Sequence, residues 1–152
     1  MQRDVKTVED EMEQLFCKEN LLKLGFAMTA YNRKNHVFPA PSKWCDILSD
    51  EPTHLPETLQ IRSELFRCKG AGQGPCNYAM NKYAENLGTN APGDMVLLFD
   101  STPGWNQSGG PEMLSTENHQ GRGCNIMFVN GHVEWVQKED LHTLRWTASD
   151  IP

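Results

Sequence analysis

Residues 1–35 contain no proline and a single glycine, Gly25, and apolar side chains return along them at three- and four-residue steps. A stretch of this length without a breaker leaves little alternative to one long helix. Val5, Val8, Met12, Leu15, Phe16, Leu22, Phe26 and Thr29 form the stripe, and Leu21, Leu24 and Met28 widen it toward its C-terminal end. The pattern predicts a helix from about Asp4 to Arg33, roughly 30 residues and on the order of 45 Å at the usual rise per residue. Its start is acidic (Glu9, Asp10, Glu11, Glu13) and its later part broadly apolar, which predicts two environments. The later half should lie on a core, with Leu22, Phe26 and Met28 carrying a sheet. The earlier half should protrude or meet a partner through Val5, Val8, Met12 and Leu15. A dimeric coiled coil on that seam is the alternative, although it would span three heptads or fewer.

After Asn35 the chain becomes proline-punctuated loop at Phe38-Pro39-Ala40-Pro41, Glu51-Pro52 and Leu55-Pro56. Trp44, Ile47 and Leu48 share a face and predict a short helix over Lys43 to Leu48. Strands are expected to begin at Asn77-Tyr78-Ala79-Met80-Asn81 and to cover Met95 to Asp100, Asn125 to Asn130 and His132 to Val136. Asn130-Gly131 between two apolar runs is a strong hairpin signal. The connection from Ser101 to Gly123 reads as a long irregular surface loop. One helix followed by a small antiparallel sheet with long irregular loops is an α+β arrangement. The expected organisation is one domain over 1–152, with a helix over 1–34 and a loop-rich β-sheet region over 35–152.

The formal net charge of −6 argues against a surface spread for phosphate binding, and the scattered Lys and Arg form no nucleic-acid patch. No apolar run reaches the roughly 18 residues that a spanning helix requires. Met1-Gln2-Arg3-Asp4 lacks the basic and apolar regions of a secretory signal. Of the five cysteines, Cys17, Cys45, Cys68, Cys76 and Cys124, at most four can pair within the chain. Cys68 and Cys76 flank the Gly-rich Lys69-Gly70-Ala71-Gly72-Gln73-Gly74-Pro75, so they can either bridge a small ring or remain buried thiols.

At three blocks the sequence resembles the pilin-like proteins of the type IV pilus and type II secretion superfamily, in particular the prepilin-type processing-associated group. Its signature is a His followed, after nine residues, by Asp-Gly. The blocks are Cys17 to Met28, running on to Tyr31 and Phe38-Pro39; Leu65-Phe66-Arg67-Cys68 with Asn77-Tyr78-Ala79-Met80-Asn81; and His119 to Val136, with Asn125-Ile126-Met127-Phe128-Val129-Asn130-Gly131-His132-Val133. Here ten residues separate His119 from Asn130, and Asn130 replaces the usual Asp. The resemblance covers residues 17 to about 138. It implies a pilin-like fold and a non-enzymatic structural subunit of a type IV pilus or type II secretion system, with no cofactor and no covalent chemistry. It also implies a cleaved leader and an apolar half-helix upstream that anchors the protein in the inner membrane, leaving this domain on the periplasmic or extracellular side. Other pilin-like subunits would then be its partners, through the N-terminal helix. Asn20, Gly25, Tyr78, Asn81, His119, Asn130, Gly131 and His132 become fold-integrity residues, with Gly25 admitting the sheet closely and Asn130-Gly131 closing the hairpin.

Three other chemistries can be weighed. His119, Cys124, His132 and His142 are metal-ligand types, and a metalloenzyme on His119, His132 and Cys124 would carry zinc, but their spacings of 4, 7 and 9 intervening residues match no familiar zinc motif. Calcium on oxygen ligands from Asp100, Glu112, Glu117 and Asn118 suits an irregular loop better, although a dense Asp cluster is missing. No Gly-x-Ser-x-Gly elbow is present and no Lys-Ser/Thr follows the glycines at 70–74, so neither a hydrolase nor a phosphate loop is indicated. The aromatic residues offer the remaining option, a glycan- or protein-binding module built on the loop around Trp105 and Asn106. A tryptophan in such a loop either packs beneath it or contacts something outside.

Overall fold

The computed structural model describes residues 5–50, 63–68 and 74–149. Helix α1 runs from Val5–Asn35 without interruption. It stops at His36, whose backbone is left-handed (φ 65°) and whose N–H bonds Asn32 O at 2.7 Å, a one-turn closure of the helix end. A short 3-10 turn at Pro41–Lys43 leads into α2, Trp44–Asp50, which buries Trp44, Cys45 and Leu48. Prolines 52 and 56 and glycines 70 and 72 lie outside the described residues.

The described residues hold a five-stranded sheet with strand order β3-β1-β2-β4-β5. Its strands are β1, Tyr78–Asn81; β2, Val96–Asp100; β3, Ser108–Gly109; β4, Gly123–Phe128; and β5, Val133–Gln137. All neighbours pair antiparallel except β1 and β3. The architecture is therefore α+β, a long N-terminal helix with a mostly antiparallel sheet. The connection from Ser101 to Gly123 is more ordered than a surface loop. It contributes the short parallel strand β3 and two 3-10 turns, Pro111–Met113 and Glu117–His119, with Ser101, Ser115, Asn118 and His119 buried. Its few apolar residues hid this, because its backbone is held by buried polar side chains instead.

The two sheet faces bury different sets. On one, Leu21, Leu24 and Met28 of α1 meet Tyr78, Met80, Leu98 and Met127. On the other, Ala79, Val96, Phe99, Cys124, Ile126 and Phe128 pack with Trp146, which meets Phe99 edge-on at 5.1 Å between ring centroids. Because both faces are covered, β2 and β4 are buried along their whole length, and Val96 to Phe99 and Ile126 to Phe128 within them are continuously apolar. A bulge at Leu97 puts Leu97 and Leu98 into the same cluster beneath α1.

Two expectations need correction. The face of α1 that carries the sheet is Cys17, Leu21, Leu24, Gly25 and Met28, whereas Leu22 and Phe26 point outward, Phe26 at 56% exposure. Adjacent helix positions differ by about 100°, so the two apolar stripes lie side by side, and close approach decides between them. A Cβ on Gly25 would come to 3.3 Å from the Met127 methyl, which marks this side as the contact face, in agreement with the role expected of Gly25. The hairpin also differs in detail. Phe128 N bonds His132 O and Gly131 N bonds Phe128 O, both at 2.8 Å, and Gly131 (φ 87°) is left-handed while Asn130 is not. This is a three-residue loop built on a type I turn followed by a left-handed glycine, rather than a two-residue turn with both residues left-handed. The Asn130 side chain has a separate task, accepting from His132 N at 2.9 Å.

Candidate functional site

The chemistry-bearing residues gather in a buried seam between α1 and the sheet. Cys17 of α1 is disulfide-bonded to Cys68, 51 residues on. The Cys68–Cys76 bridge considered from the sequence is therefore not formed. Cys68 follows a 3-10 turn packed against α1, and its N–H bonds the Asn77 side chain at 2.8 Å, which aims its sulfur at the helix. Cys76 turns the other way, toward α2.

Beside the disulfide, His119 Nε2 lies 3.1 Å from Asp100 Oδ2 and 3.6 Å from Cys68 Sγ. Asp100 is the last residue of β2, and its Oδ2 also accepts Asn125 N from β4 at 2.7 Å. The imidazole stands edge-on to Trp135 at 5.3 Å. Asn125 in turn donates to Gln14 O of α1 at 3.1 Å, so sheet and helix are joined through this polar set. One helical turn along, Asn20 Nδ2 donates to Arg67 O at 2.8 Å and to Tyr78 Oη at 3.4 Å, and Tyr78 Oη reaches Cys17 O at 3.5 Å. Burial pushes the Tyr78 hydroxyl well above its usual range, so it remains a neutral donor.

Cys17, Cys68 and His119 place three ligand-type atoms within 4.8 Å of one another, the one such cluster among the described residues. With both sulfurs in a disulfide there is no thiolate to offer a metal or a substrate. His119 and Asp100 are fully buried, so no substrate atom reaches them. The arrangement suits a structural clasp.

The zinc set read from the sequence is dispersed. Cys124 is buried and its thiol donates to Ser115 O at 3.2 Å, while His132 is exposed against Glu134 at 2.8 Å and His142 is exposed. Burial, with the Asp100 carboxylate nearby, pushes the Cys124 thiol up, away from the reactive form. The calcium set fares similarly. Asp100 is committed to His119 and Asn125, Glu112 accepts Gly110 N at 2.9 Å, and Asn118 turns its amide N–H toward Asn77 O and Ser101 O.

Trp105 and Asn106 form a second cluster, on α2. Asn106 Oδ1 accepts Cys45 N at 2.8 Å and Asp46 N at 3.1 Å, capping the helix start from a distant loop. Asp46 accepts Trp105 Nε1 and Asn106 Nδ2, both at 2.7 Å, and the Trp105 ring lies 4.9 Å from Phe66. The indole N–H that a glycan would use is thus taken internally, and 38% of the residue stays exposed. These two donors hold the Asp46 carboxyl below its usual value of 3.8. A carboxyl lowered on folding favours the folded loop above pH 3.8, and that contribution disappears as pH falls through the lowered value. Trp105 emission should therefore shift on acidification below about pH 4, ahead of global unfolding. Asp46→Ala should remove the step, and an unchanged step in that variant would exclude Asp46 as its origin.

The remaining sequence-derived residues serve the framework. Asn81 Nδ2 donates to Val96 O and Trp146 O, both at 2.8 Å, and its Oδ1 accepts Tyr83 N at 3.0 Å, tying β1, β2 and the C-terminal segment together. Asp100 was not recognised as the partner of His119, although a carboxylate closing the wholly apolar run 95–99 is a usable signal. Cys17 was available as the partner of Cys68 within the resemblance blocks, but Cys76, nearer in sequence across Gly-rich residues, competed with it.

Outside the seam, the N-terminal part of α1 displays apolar side chains. Val5 is 74% exposed, Leu15 58% and Met12 52%, with Val8 and Phe16 also exposed. Further along, a groove of about 340 Å³ lies between Leu22, Phe26, Thr29 and Arg33 of α1 and the Asn130-Gly131 turn. No helix among the described residues is long and apolar enough to cross a membrane.

Comparison of the chain with protein-family models, curated proteins and solved structures returned no match.

Proposed function

We propose that this chain is the extracytoplasmic domain of a pilin-like or pseudopilin-like structural subunit, assembling with similar subunits through α1 and performing no covalent chemistry. The observation that supports it is the division of labour along α1. Its later half buries Leu21, Leu24 and Met28 under the sheet, while its earlier half carries Val5, Val8, Met12, Leu15 and Phe16 on an exposed face. Exposed apolar surface along one helix, densest in its first half and continued by Leu22 and Phe26, is a feature of assembly sites. The order of the three resemblance blocks and the disulfide clasp are compatible with a domain that lives outside the cytoplasm. The reading places the whole protein in the inner membrane, through a segment upstream of residue 1.

Two measurements test it. The reading frame upstream should encode a basic leader ending in glycine and about twenty apolar residues with a glutamate near their start; a frame opening at Met1 would overturn the proposal. In the full-length protein, Met12→Asp with Leu15→Asp should abolish recovery in sheared filaments or in a pseudopilus complex. The stability change should stay within about 0.5 kcal/mol per site, because both side chains are mostly exposed. Normal assembly of that variant would sink the role given to α1.

A further inference from the structure

Three cysteines remain outside the disulfide, and two of them face each other. Cys45 Sγ of α2 and Cys76 Sγ, which leads into β1, are 3.8 Å apart, and both residues are completely buried. We propose that Cys45 and Cys76 are a second disulfide site, closed by exchange with a thiol–disulfide donor and stapling α2 and its covering loop to the sheet. The sulfurs must approach by about 1.8 Å to reach bonding distance, which is within the range of a side-chain rotation.

The backbone on both sides is already held for this. Cys45 N is fixed by Asn106 Oδ1 at 2.8 Å, and Asn106 N donates to Cys45 Sγ at 3.3 Å. Cys76 O accepts Gly104 N at 2.8 Å, and Tyr78 N donates to Cys76 Sγ at 3.5 Å. Each sulfur is thus an acceptor for a backbone N–H, a role that a disulfide sulfur retains. In the closed fold the two thiols are hydrogen-bonded to each other. The Cys45 thiol donates to Cys76, which holds Cys76 below the usual thiol range; the same bond, with burial, pushes Cys45 up.

One of the two sulfurs, as its thiolate, displaces one thiolate from the donor disulfide and forms a mixed disulfide; the other, after losing its proton, then attacks the first sulfur and releases the second donor thiolate. Two protein thiols are oxidised, one donor disulfide is reduced to two thiols, and the protons pass to solvent or to the released thiolates. Because both sulfurs are buried in the finished fold, the exchange belongs to the folding chain, before the Trp105 loop closes over them.

With Cys17–Cys68 this produces an interleaved pairing and leaves one thiol, Cys124, which explains the odd cysteine number. The bridge does not require the pilin-like reading, since it follows from the fold alone.

The test uses the full chain, refolded in a mixture of reduced and oxidised glutathione, then unfolded with an alkylating reagent present. One alkylated cysteine per chain is expected, Cys124, and non-reduced peptide mapping should yield a Cys45–Cys76 peptide beside Cys17–Cys68. Cys124→Ala should leave none, and Cys45→Ser should raise the count to two. Three alkylated cysteines in a chain that holds Cys17–Cys68, or any other partner for Cys45 or Cys76, would overturn the proposal. The wild-type count decides the matter even if a variant fails to fold.

Discussion

Replacing Cys17 and Cys68 together by alanine should lower the stability of this domain by about 4 kcal/mol, the loop-closure value for a bridge of this span. The bridge closes 51 residues of separation, and in the chain-entropy account it acts by restricting the unfolded chain. It also has a native role, since it fastens α1 to the segment before β1, close to the Gln14–Asn125 contact between helix and sheet. Urea unfolding of both proteins, with the other cysteines held in the same redox state, measures the difference. A loss under about 1 kcal/mol would mean that packing of Leu21, Leu24 and Met28 alone locates the helix. Opening of this clasp should also loosen the first half of α1 selectively, visible as faster amide exchange N-terminal to Cys17.

The second large effect is expected at Asp100. Its Oδ2 receives Asn125 N from the neighbouring strand and His119 Nε2 from the connecting segment, all with no solvent access. Asp100→Ala leaves both donors buried without an acceptor, and at about 1–3 kcal/mol for each abandoned donor the cost is about 2–6 kcal/mol. Asp100→Asn keeps one acceptor oxygen and should lose roughly half as much. Thermal and urea unfolding of the two variants against wild type gives the comparison. Equal losses for Ala and Asn would assign the effect to charge rather than to acceptor count, and losses under about 1 kcal/mol would remove Asp100 from the clasp. His119→Ala should act in the same direction, since it empties the space against Trp135 and leaves Asp100 with one donor fewer.

The disulfide and the Asp100–His119 contact adjoin at Cys68 Sγ and together define where α1 sits on the sheet. In the assembly reading this gives the exposed half of α1 a fixed direction relative to the β-sheet, which a subunit that packs by its helix requires. Trp105 and Asn106, in contrast, serve α2: their polar groups satisfy Asp46 and the start of that helix. A ligand at this loop would have to work with the exposed edge of the indole alone.

Local patterns were enough to read much of the framework. The proline-free stretch 1–35 sets the length of α1, the apolar runs at 95–99 and 126–129 mark the two central strands, and Asn130-Gly131 locates the hairpin. Each is a property of neighbouring residues: helix propagation, burial of a strand on both faces, and the backbone freedom of glycine at positive φ. The form of the turn is decided outside it: Asn130 is compatible with the αR conformation of a type I turn, and the register of β4 on β5 selects it. Strand β3 escaped notice because two residues in parallel pairing with β1 leave no periodic trace.

The site depended on contacts between distant residues. Leu21 and Leu22, one residue apart, both look like core positions. Only the approach of β4, permitted by the missing side chain at Gly25 and clasped by Cys17, turns Leu21 inward and Leu22 outward. Likewise Cys68 has Cys76 only eight positions away across a Gly-rich stretch, yet Cys76 is drawn under α2 and Cys68 under α1. Secondary structure follows from interactions a few residues apart and can be read along the chain. The choice of helix face, the cysteine pairing and the Asp100–His119 contact join residues far apart in the chain, Gly25 with Met127, Cys17 with Cys68 and Asp100 with His119, and their identity is decided by which surfaces close on each other when the core packs.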